Sequence, residues 1–447
     1  MAGGDCLNVG CVPSKALLSA AKALRAVRNA SEYGVIISEQ DAQLDFSKVM
    51  KRLRQKRTQI SPADGHEGTT NTGAHVYQGR GRFTSPNTIE VNGVTLKFKN
   101  AVVATGGRPK IPSNIPGLQE APYSTNENLF NLDKQLPHRM LVLGSGVIAL
   151  EMAQCFATFG SQVTVLQRSK RLFESRGGDA EAAELLQKVL EEDGVNFLSE
   201  SFVTLVETVR HESKDHLPLM KVTVKVGDEE QVLECECLLV ATGRAANVED
   251  IGLEEANVKY ETGKGVEVND LCQSVSNPQV YAVGDCVAGV PRLTHQSGEM
   301  ARIVVQNAIF GDSWKLSSLI TPAVMYTEPE YATVGVASAE MAKKEGLGEV
   351  DVYRGGLEHN DRAILESDNP KGFCKIVCKK GTAEILGATI VAPRAGEMIN
   401  EVTLAMKHKI GIGGIGRNIH AYPSTGEAVM GAGLQYIGKI LPSVKDQ

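Results

Sequence analysis

Residues Leu136–Arg168 read LPHRMLVLGSGVIALEMAQCFATFGSQVTVLQR, and this stretch decides the fold. An apolar strand enters a glycine-rich turn, a helix follows, and a second apolar strand comes after the helix. Gly144, Gly146 and Ala149 occupy the positions of a GxGxxG/A turn. There the first glycine permits the tight bend, the second lets the backbone approach a pyrophosphate, and the helix N-terminus attracts the phosphates. The context favours a dinucleotide-binding unit over an ordinary glycine turn.

The end of the second strand indicates which dinucleotide is bound. An acidic residue at this position would hold the ribose 2′-hydroxyl of NAD. This chain instead has Gln167 followed by Arg168, with Lys170 and Arg171 close behind. The missing carboxylate and the added cations favour the 2′-phosphate of NADPH, with NADH as the alternative. A solvated basic turn is the other interpretation of the same residues.

Two more apolar runs end in glycine turns, NAVVATGGRP at residues 100–109 and LLVATGR at residues 238–244. Their similarity indicates two related nucleotide-binding folds in one chain. The stretch GIGGIG at residues 411–416 also fits the dinucleotide spacing, but no clear strand precedes it and Pro423 soon follows. We therefore predict a flexible loop at residues 411–416.

Periodicity predicts the remaining elements. From about residue 317 onward the pattern is mixed helix and strand without dinucleotide signatures. The predicted elements are helices over Val12–Asn29, Phe46–Ile60 and Ser297–Phe310, a helix capped by Asp179 that runs through Glu192, strands around 75–77 and 89–91, a hairpin around 220–226, and a strand within 277–286.

Length and composition limit the classes of protein. With 447 residues, 42% hydrophobic and 22% charged, the chain should form two to four soluble domains. A net charge of -6 argues against nucleic acid or an anionic membrane as the main partner. No apolar run approaches the ~18 residues of a membrane span, and we predict no secretory signal. Nine cysteines favour a reducing compartment, cytoplasmic or an organellar matrix or stroma, with one catalytic pair.

The cysteine pair Cys6 and Cys11 precedes Pro13, Lys15 and the first predicted helix. A helix N-terminus and a nearby lysine lower the pKa of a thiol, which makes it reactive. A CxxxxC spacing alone also suits half of a metal site or two buried thiols. The other cysteines lack strong zinc spacing, so we predict core positions for them and no metal site.

The segment GGDCLNVGCVPSK, at residues 3–15, closely resembles the redox-active segment of the class I pyridine nucleotide-disulfide oxidoreductases. That family includes dihydrolipoamide dehydrogenase, glutathione reductase and mercuric reductase. The resemblance runs essentially end to end. It includes the two ATG turns, at 104–106 and 241–243, and the segments VYAVGD, PAVMYTEPEYATVG and HAYPSTGEAV.

The resemblance implies roles for individual residues. Cys6 would exchange with substrate, and Cys11 would face the flavin of FAD. Lys15 and Glu151 would form an ion pair beside the flavin, and Asp285 would bind its ribityl chain. The resemblance adds further expected cofactor-binding residues: Thr105, Gly106, Gly107, Gly243, Thr294 and His295.

The resemblance also implies an α/β architecture and a homodimer, in which the second subunit supplies the acid–base end. We expect two interrupted Rossmann-like dinucleotide-binding domains, for FAD and NAD(P), and a C-terminal α+β dimerisation domain. The expected boundaries are 1–124 for the first part of the FAD-binding domain, 125–265 for the NAD(P)-binding domain, 266–316 for the second FAD part and 317–447 for the dimerisation domain.

Two departures from the family pattern affect these expectations. Only five residues precede Cys6, whereas a FAD-binding βαβ unit needs ~30, so we expect this sequence by itself to bind FAD weakly. Tyr422 stands where dihydrolipoamide dehydrogenase and glutathione reductase have histidine, although Glu427 is retained. In an extended segment Ile419–Pro423, His420 would lie beside Tyr422 and act as the base itself or through the phenol hydroxyl. The alternative is that His420 only fills a loop position. Tyrosine here resembles mercuric reductase, but the chain ends LPSVKDQ without a cysteine pair.

The sequence therefore predicts a flavin-dependent NAD(P)H:disulfide oxidoreductase with a role in cell redox homeostasis. Electrons would pass between NADPH, FAD and the Cys6–Cys11 pair, and Cys6 would attack a small-molecule or protein disulfide or another thiophilic acceptor. A dihydrolipoamide dehydrogenase and a mercuric-reductase-like enzyme are the close alternatives. A flavin-less dimerising remnant is the non-enzymatic alternative.

Overall fold

The computed structural model describes residues 2–38, 43–133, 135–211 and 216–441. The end of the expected dimerisation domain, 442–447, lies outside the described residues. Helices occur along the whole chain, and 3₁₀ turns join several of them. The helices are α1 (Gly4–Val9), α2 (Cys11–Arg28), α3 (Phe46–Asp64), α4 (His66–Asn71), α5 (Val147–Phe159), α6 (Ala180–Glu192), α7 (Thr294–Val305), α8 (Ala339–Lys344), α9 (Asp361–Glu366), α10 (Ala395–Lys407), α11 (Ile412–Arg417) and α12 (Glu427–Ile440).

The strands have two to ten residues, and the longest is β9. They are β1 (Arg82–Ser85), β2 (Thr88–Val91), β3 (Val94–Lys97), β4 (Ala101–Val103), β5 (Gly107–Pro109), β6 (Arg139–Leu143), β7 (Gln162–Leu166), β8 (Val195–Leu198), β9 (Ser201–Arg210), β10 (Leu219–Val226), β11 (Glu229–Cys235), β12 (Cys237–Val240), β13 (Arg244–Ala246), β14 (Tyr260–Glu261), β15 (Gly265–Val266), β16 (Val280–Ala282), β17 (Ala323–Met325), β18 (Glu330–Gly335), β19 (Val350–Gly356), β20 (Phe373–Lys379) and β21 (Ile385–Ala392).

The unit that decides the fold forms as predicted. Strands β6 and β7 pair in parallel, and α5 connects them. β6 lies between β12 and β7 in a parallel sheet with the order β12-β6-β7-β8. Its last four positions are buried, as expected of a strand covered on both faces. The cap of α6 is also confirmed, because the Asp179 carboxylate accepts a hydrogen bond from the backbone of Ala182.

Parallel pairing brings the glycine turns together. The strands β4 and β16 pair in parallel, so the ATG turn after β4 lies beside the Gly-Asp turn after β16. Likewise β12 pairs in parallel with β6, which places the second ATG turn beside Gly144. The carboxyl ends of parallel strands are where α/β sheets bind ligands. The two strand pairs therefore form two such edges.

The core joins the cysteine-bearing helices to the dinucleotide unit. Leu17 of α2, Met50 of α3 and Phe156 of α5 are fully buried in one apolar cluster with the parallel sheet. A second cluster fills the antiparallel sheet β17-β18-β21-β20-β19 and the helices α10 to α12. Among the described residues, no helix is both long enough and apolar enough to cross a membrane.

Two element predictions were wrong. Residues 75–77 form no strand, since they are exposed and irregular. The expected loop at 411–416 is instead helix α11, with Ile412 and Ile415 buried. Its glycines serve packing, because a Cβ on Gly433 of α12 would come within 2.4 Å of the Gly416 backbone nitrogen. Small residues at this crossing let the two helices approach closely, and α11 is not a nucleotide site.

Candidate active site

The two cysteines lie on either side of a break between helices. Cys6 is within α1, Gly10 interrupts the helix, and Cys11 is the first residue of α2. Both are free thiols, Cys6 half-buried and Cys11 exposed, and each shifts the pKa of the other. This is the pair that the sequence places together.

The Cys11 sulfur has surroundings that favour the thiolate. It lies 3.3 Å from the Thr294 hydroxyl, and Thr294 begins α7. Cys11 is thus at the N-terminus of α2 and next to the N-terminus of α7, where helix dipoles favour negative charge. Hydrogen bonding from Cys6, then from Thr294, and the charge of Lys15 lower the pKa of Cys11 to about 6, although burial opposes the shift. The same pairing raises the pKa of Cys6.

Lys15 and Glu151 form an ion pair that links three segments of the chain. The Lys15 ammonium lies 3.0 and 2.8 Å from the two Glu151 oxygens. The Glu151 side chain is 2% exposed. One of its oxygens also accepts a hydrogen bond of 2.9 Å from the backbone nitrogen of Tyr326, whose ring lies 4.6 Å from the lysine. The pair therefore joins α2, α5 and the segment that follows β17.

The turns after β4 and β16 supply groups that suit a flavin and its polyhydroxyl chain. The Asp285 carboxylate is partly buried and is bound by Arg244 at 3.1 Å. A Cβ on Gly107 would come within 2.9 Å of a backbone oxygen and 3.2 Å of Asp285, whereas Gly106 and Gly243 face open space. A glycine shelf without side chains, edged by the Asp285 carboxylate, fits this part of FAD.

Two other expected flavin contacts have partners within the protein. The Thr105 hydroxyl donates to the Asn247 carbonyl at 2.6 Å, which joins the first ATG turn to the chain beyond the second. The His295 ring lies 2.7 Å from the Pro322 carbonyl. Thr294 is therefore the residue of α7 that reaches the cysteines, while His295 holds the chain that leads to β17.

The turn after β6 suits a dinucleotide. Gly144 has a φ of 114°, and a Cβ there would come within 2.6 Å of the Ala241 carbonyl. Gly146 precedes α5 and faces open space, while Ala149 is buried. The first position thus requires glycine, and the second leaves the helix N-terminus open to a phosphate.

The residues after β7 divide into an inner and an outer group. Gln167 is 1% exposed and donates to the Ser199 hydroxyl at 2.8 Å. Its amide oxygen has no hydrogen-bond partner among the described residues, which is unusual for a buried group. Arg168 is exposed. Arg171 is half-buried and bound to Glu340 at 2.7 Å, so Arg168 is more accessible to a ligand than Arg171.

The expected contact between His420 and Tyr422 is wrong. The chain bends at residues 422–423, so the alternation of an extended segment does not apply. The His420 side chain is 8% exposed and lies 2.9 Å from the Glu401 carboxylate of α10. Tyr422 is 72% exposed and donates to Asp361 at 2.6 Å. Each ring has its own carboxylate.

Glu427 lies at the start of α12 and binds the backbone of its own N-terminus. Its carboxylate accepts a hydrogen bond of 3.0 Å from the backbone of Ser424 at the start of α12. The hydrogen bond to Asp361 raises the pKa of Tyr422, and Glu427 adds only a weaker charge effect. Sequence reasoning missed Asp361 and Glu401 because nothing in the local pattern connects them to residue 422.

No group of three or more histidine, cysteine or acidic side chains that could hold a metal ion occurs in the part of the chain that the structure describes. Free cysteines other than the pair are buried, and burial raises the pKa of Cys237 and of Cys272 to about 11. These thiols are packing residues, as the sequence predicted.

Comparison with known proteins agrees with this site. Residues 1–301 match the family model described as pyridine nucleotide-disulphide oxidoreductase, and residues 321–432 match the dimerisation domain of the same family. A dihydrolipoyl dehydrogenase of Staphylococcus aureus is 33% identical over 443 residues, 98% of this chain and 90% of that protein. A mercuric reductase of Bacillus cereus is 32% identical over 427 residues, 96% of this chain but 65% of that protein.

A solved structure of the HOCl-induced flavoprotein disulfide reductase RclA from Escherichia coli has the same fold. It matches with a TM-score of 0.80 at 24% identity and covers 95% of this chain and 90% of that one. The family matches cover most of the chain, and they include both the cysteine-bearing part and the dimerisation part. The chain belongs to the pyridine nucleotide-disulfide oxidoreductases, a family of FAD-dependent enzymes that use NAD(P)H.

Proposed function

We propose that this protein is an NADPH-dependent disulfide reductase in which Cys6 exchanges with the acceptor and Cys11 faces the flavin. The observation that carries the proposal is the environment of Cys11, between the Thr294 hydroxyl and the Lys15–Glu151 pair at two helix N-termini. Only a thiol that works as a thiolate benefits from such surroundings.

Lys15, Asp285, Thr294 and the turn at Gly106 and Gly107 would hold the ring and ribityl part of FAD. Bound there, FAD would supply hydride acceptance from NADPH and two-electron transfer to the cysteine pair. Glu151 holds the Lys15 ammonium near Cys11 whether or not FAD is bound. Gly144, Gly146 and Arg168 would bind the pyrophosphate and the 2′-phosphate of NADPH.

The exchange with the acceptor needs only the two cysteines and an acid. In the reduced pair Cys11 carries the negative charge and Cys6 the proton. As the Cys6 sulfur attacks the acceptor disulfide, its proton passes to Cys11, the acceptor S–S bond breaks, and a mixed disulfide forms. Cys11 then attacks Cys6 and gives its proton to the second leaving sulfur. The pair thus loses two electrons and one proton. The acid supplies the other proton, which goes to the first leaving sulfur.

Tyr422 is the candidate for this acid. Because its hydrogen bond to Asp361 raises the pKa of the phenol, Tyr422 keeps its proton at neutral pH. The protonated phenol can donate a hydrogen bond to the leaving sulfur and relay a solvent proton to it, but it is a poor base for a thiol, which favours disulfide reduction over dihydrolipoamide oxidation. Tyr422 lies in the part that matches the family's dimerisation domain. We place it, accordingly, at the Cys6 side of a second copy in a homodimer.

The division of labour between the cysteines is tested by trapping. We expect reduced Cys11→Ser, treated with the aromatic disulfide DTNB, to release one half of the probe and keep the other half on Cys6. Wild type should release both halves and keep none, because Cys11 resolves the adduct. The measurement is released chromophore together with the mass of the Cys6 peptide.

Cys235→Ala is the matched control, since it removes a buried thiol far from the pair and should behave as wild type. A stable adduct on wild type, or an unmodified Cys6 in Cys11→Ser, would overturn the assignment of Cys6 as the exchanging thiol.

Arg168 should set the cofactor preference. In FAD-reconstituted protein we expect kcat/KM for NADPH to exceed that for NADH by about tenfold, which one charge-assisted phosphate contact of about 1.4 kcal/mol provides. Arg168→Ala should remove most of that preference. Arg176→Ala, an exposed arginine of the same connection, should leave it unchanged. Equal use of NADH by wild type would refute the NADPH proposal.

The acid is tested by pH–rate profiles of disulfide reduction. The alkaline limb should report loss of the Tyr422 proton and should be missing in Tyr422→Phe, with a rate at least about tenfold lower at neutral pH. Asp361→Asn should move that limb to lower pH, because the Asp361 carboxylate raises the pKa of Tyr422. His420→Ala should leave the limb in place, since His420 is bound to Glu401. An alkaline limb that is lost in His420→Ala and does not move in Asp361→Asn would contradict the proposal.

A further inference from the structure

Helix α1, which carries Cys6, depends on side-chain contacts for its position. It spans only Gly4–Val9, and a helix this short is not stable by its own hydrogen bonds. Its C-terminal end is held by two contacts to backbone carbonyls, from Arg57 to Asn8 at 3.0 Å and from Asn126 to Val9 at 3.1 Å. The N-terminal end is held differently.

Asp5, the residue directly before Cys6, forms an ion pair with Arg244. The Arg244 guanidinium also donates to Asp285 at 3.1 Å and to the Gly107 carbonyl at 2.8 Å. Its side chain is 18% exposed, and its own carbonyl accepts a hydrogen bond from Arg292. One nearly buried arginine thus connects the cysteine helix to both glycine turns of the candidate flavin site.

We propose that Arg244 is a positioning residue that, through Asp5, fixes Cys6 at the distance from Cys11 at which a disulfide forms. The inference rests on the proposed function of the cysteine pair. Because Cys11 begins α2, which is anchored in the core by Leu17, the separation of the two sulfurs varies mainly with the placement of α1. Fixing that placement raises the effective concentration of one thiol at the other and favours the disulfide.

Removing Asp5 and removing Arg244 in turn distinguishes this proposal from a purely electrostatic explanation. If Asp5 and Arg244 acted only through their fields on the thiolate, removing the acid and removing the base would shift the cysteine equilibrium in opposite directions. If they act by holding α1, both changes weaken the same anchor and favour the dithiol. The sign of the two shifts therefore decides between the explanations.

The experiment equilibrates the full-length protein with dithiothreitol at fixed pH and measures the Cys6–Cys11 disulfide by acid quenching, alkylation and peptide mass. In this equilibrium the two reagent thiols give two electrons and two protons to the protein disulfide and become a cyclic disulfide. We expect Asp5→Ala and Arg244→Gln each to lower the equilibrium constant for the protein disulfide by about three- to tenfold, since charged hydrogen bonds are strong but Asp5 is half exposed. The double variant should be no worse than Arg244→Gln.

Two further variants sharpen the test. Asp5→Asn retains an oxygen that accepts from Arg244 and should recover most of the wild-type constant, whereas a field effect would leave it equal to Asp5→Ala. Arg108→Gln is the matched control. Arg108 lies on β5, which pairs with β13, and binds Glu249 at 2.9 Å. It should behave as wild type.

Shifts of opposite sign, or no shift in Asp5→Ala, would overturn the role of Arg244 while leaving the cysteine pair intact. If Arg244→Gln fails to fold, Asp5→Ala and Asp5→Asn decide the question by themselves. A wild-type protein that forms no Cys6–Cys11 disulfide at any reagent ratio would instead overturn the proposed function itself.

Discussion

The arrangement of the site depends on the ion pair between Lys15 and Glu151. Glu151 is buried in α5, directly after the dinucleotide turn, and a buried carboxylate without a partner is strongly destabilising. Its two oxygens take the Lys15 ammonium from α2 and the Tyr326 backbone nitrogen from the segment after β17. Helix α2 is therefore fixed relative to both the dinucleotide unit and the sheet of the dimerisation part.

Fixing α2 fixes Cys11, and the other features of the cysteine pair follow. Cys11 meets Thr294 only because the N-termini of α2 and α7 converge on one point. The positive charge of Lys15 also lowers the pKa of Cys11. Cys6 has a different kind of support, because its short helix has one buried apolar residue, Leu7, and is held by polar contacts at both ends. Cys11 begins a helix that is anchored in the core, and Cys6 lies on a short helix that side chains position.

Much of this could be predicted from the sequence. The βαβ unit followed from apolar strands around a glycine turn, and the Lys15–Glu151 pair from the resemblance. The failures have one physical cause, which is that tertiary partners decide where local pattern does not. GIGGIG became a helix because Gly416 and Gly433 let two helices touch. His420 and Tyr422 separated because carboxylates on α10 and α9 bind them. The role of Arg244 could not be predicted, because its acceptors, Asp5 and Asp285, are far apart in the chain.

The central claim is that Cys11 is the thiolate of the pair, and its alkylation measures this most directly. In the reduced protein, iodoacetamide should label Cys11 with an apparent pKa near 6. Thr294→Val should raise that value, because the hydroxyl stabilises the thiolate. Ser14→Ala should leave it unchanged, since the Ser14 hydroxyl donates to the Cys11 carbonyl and not to the sulfur. Labelling of Cys11 with the pKa of an ordinary thiol would contradict the account.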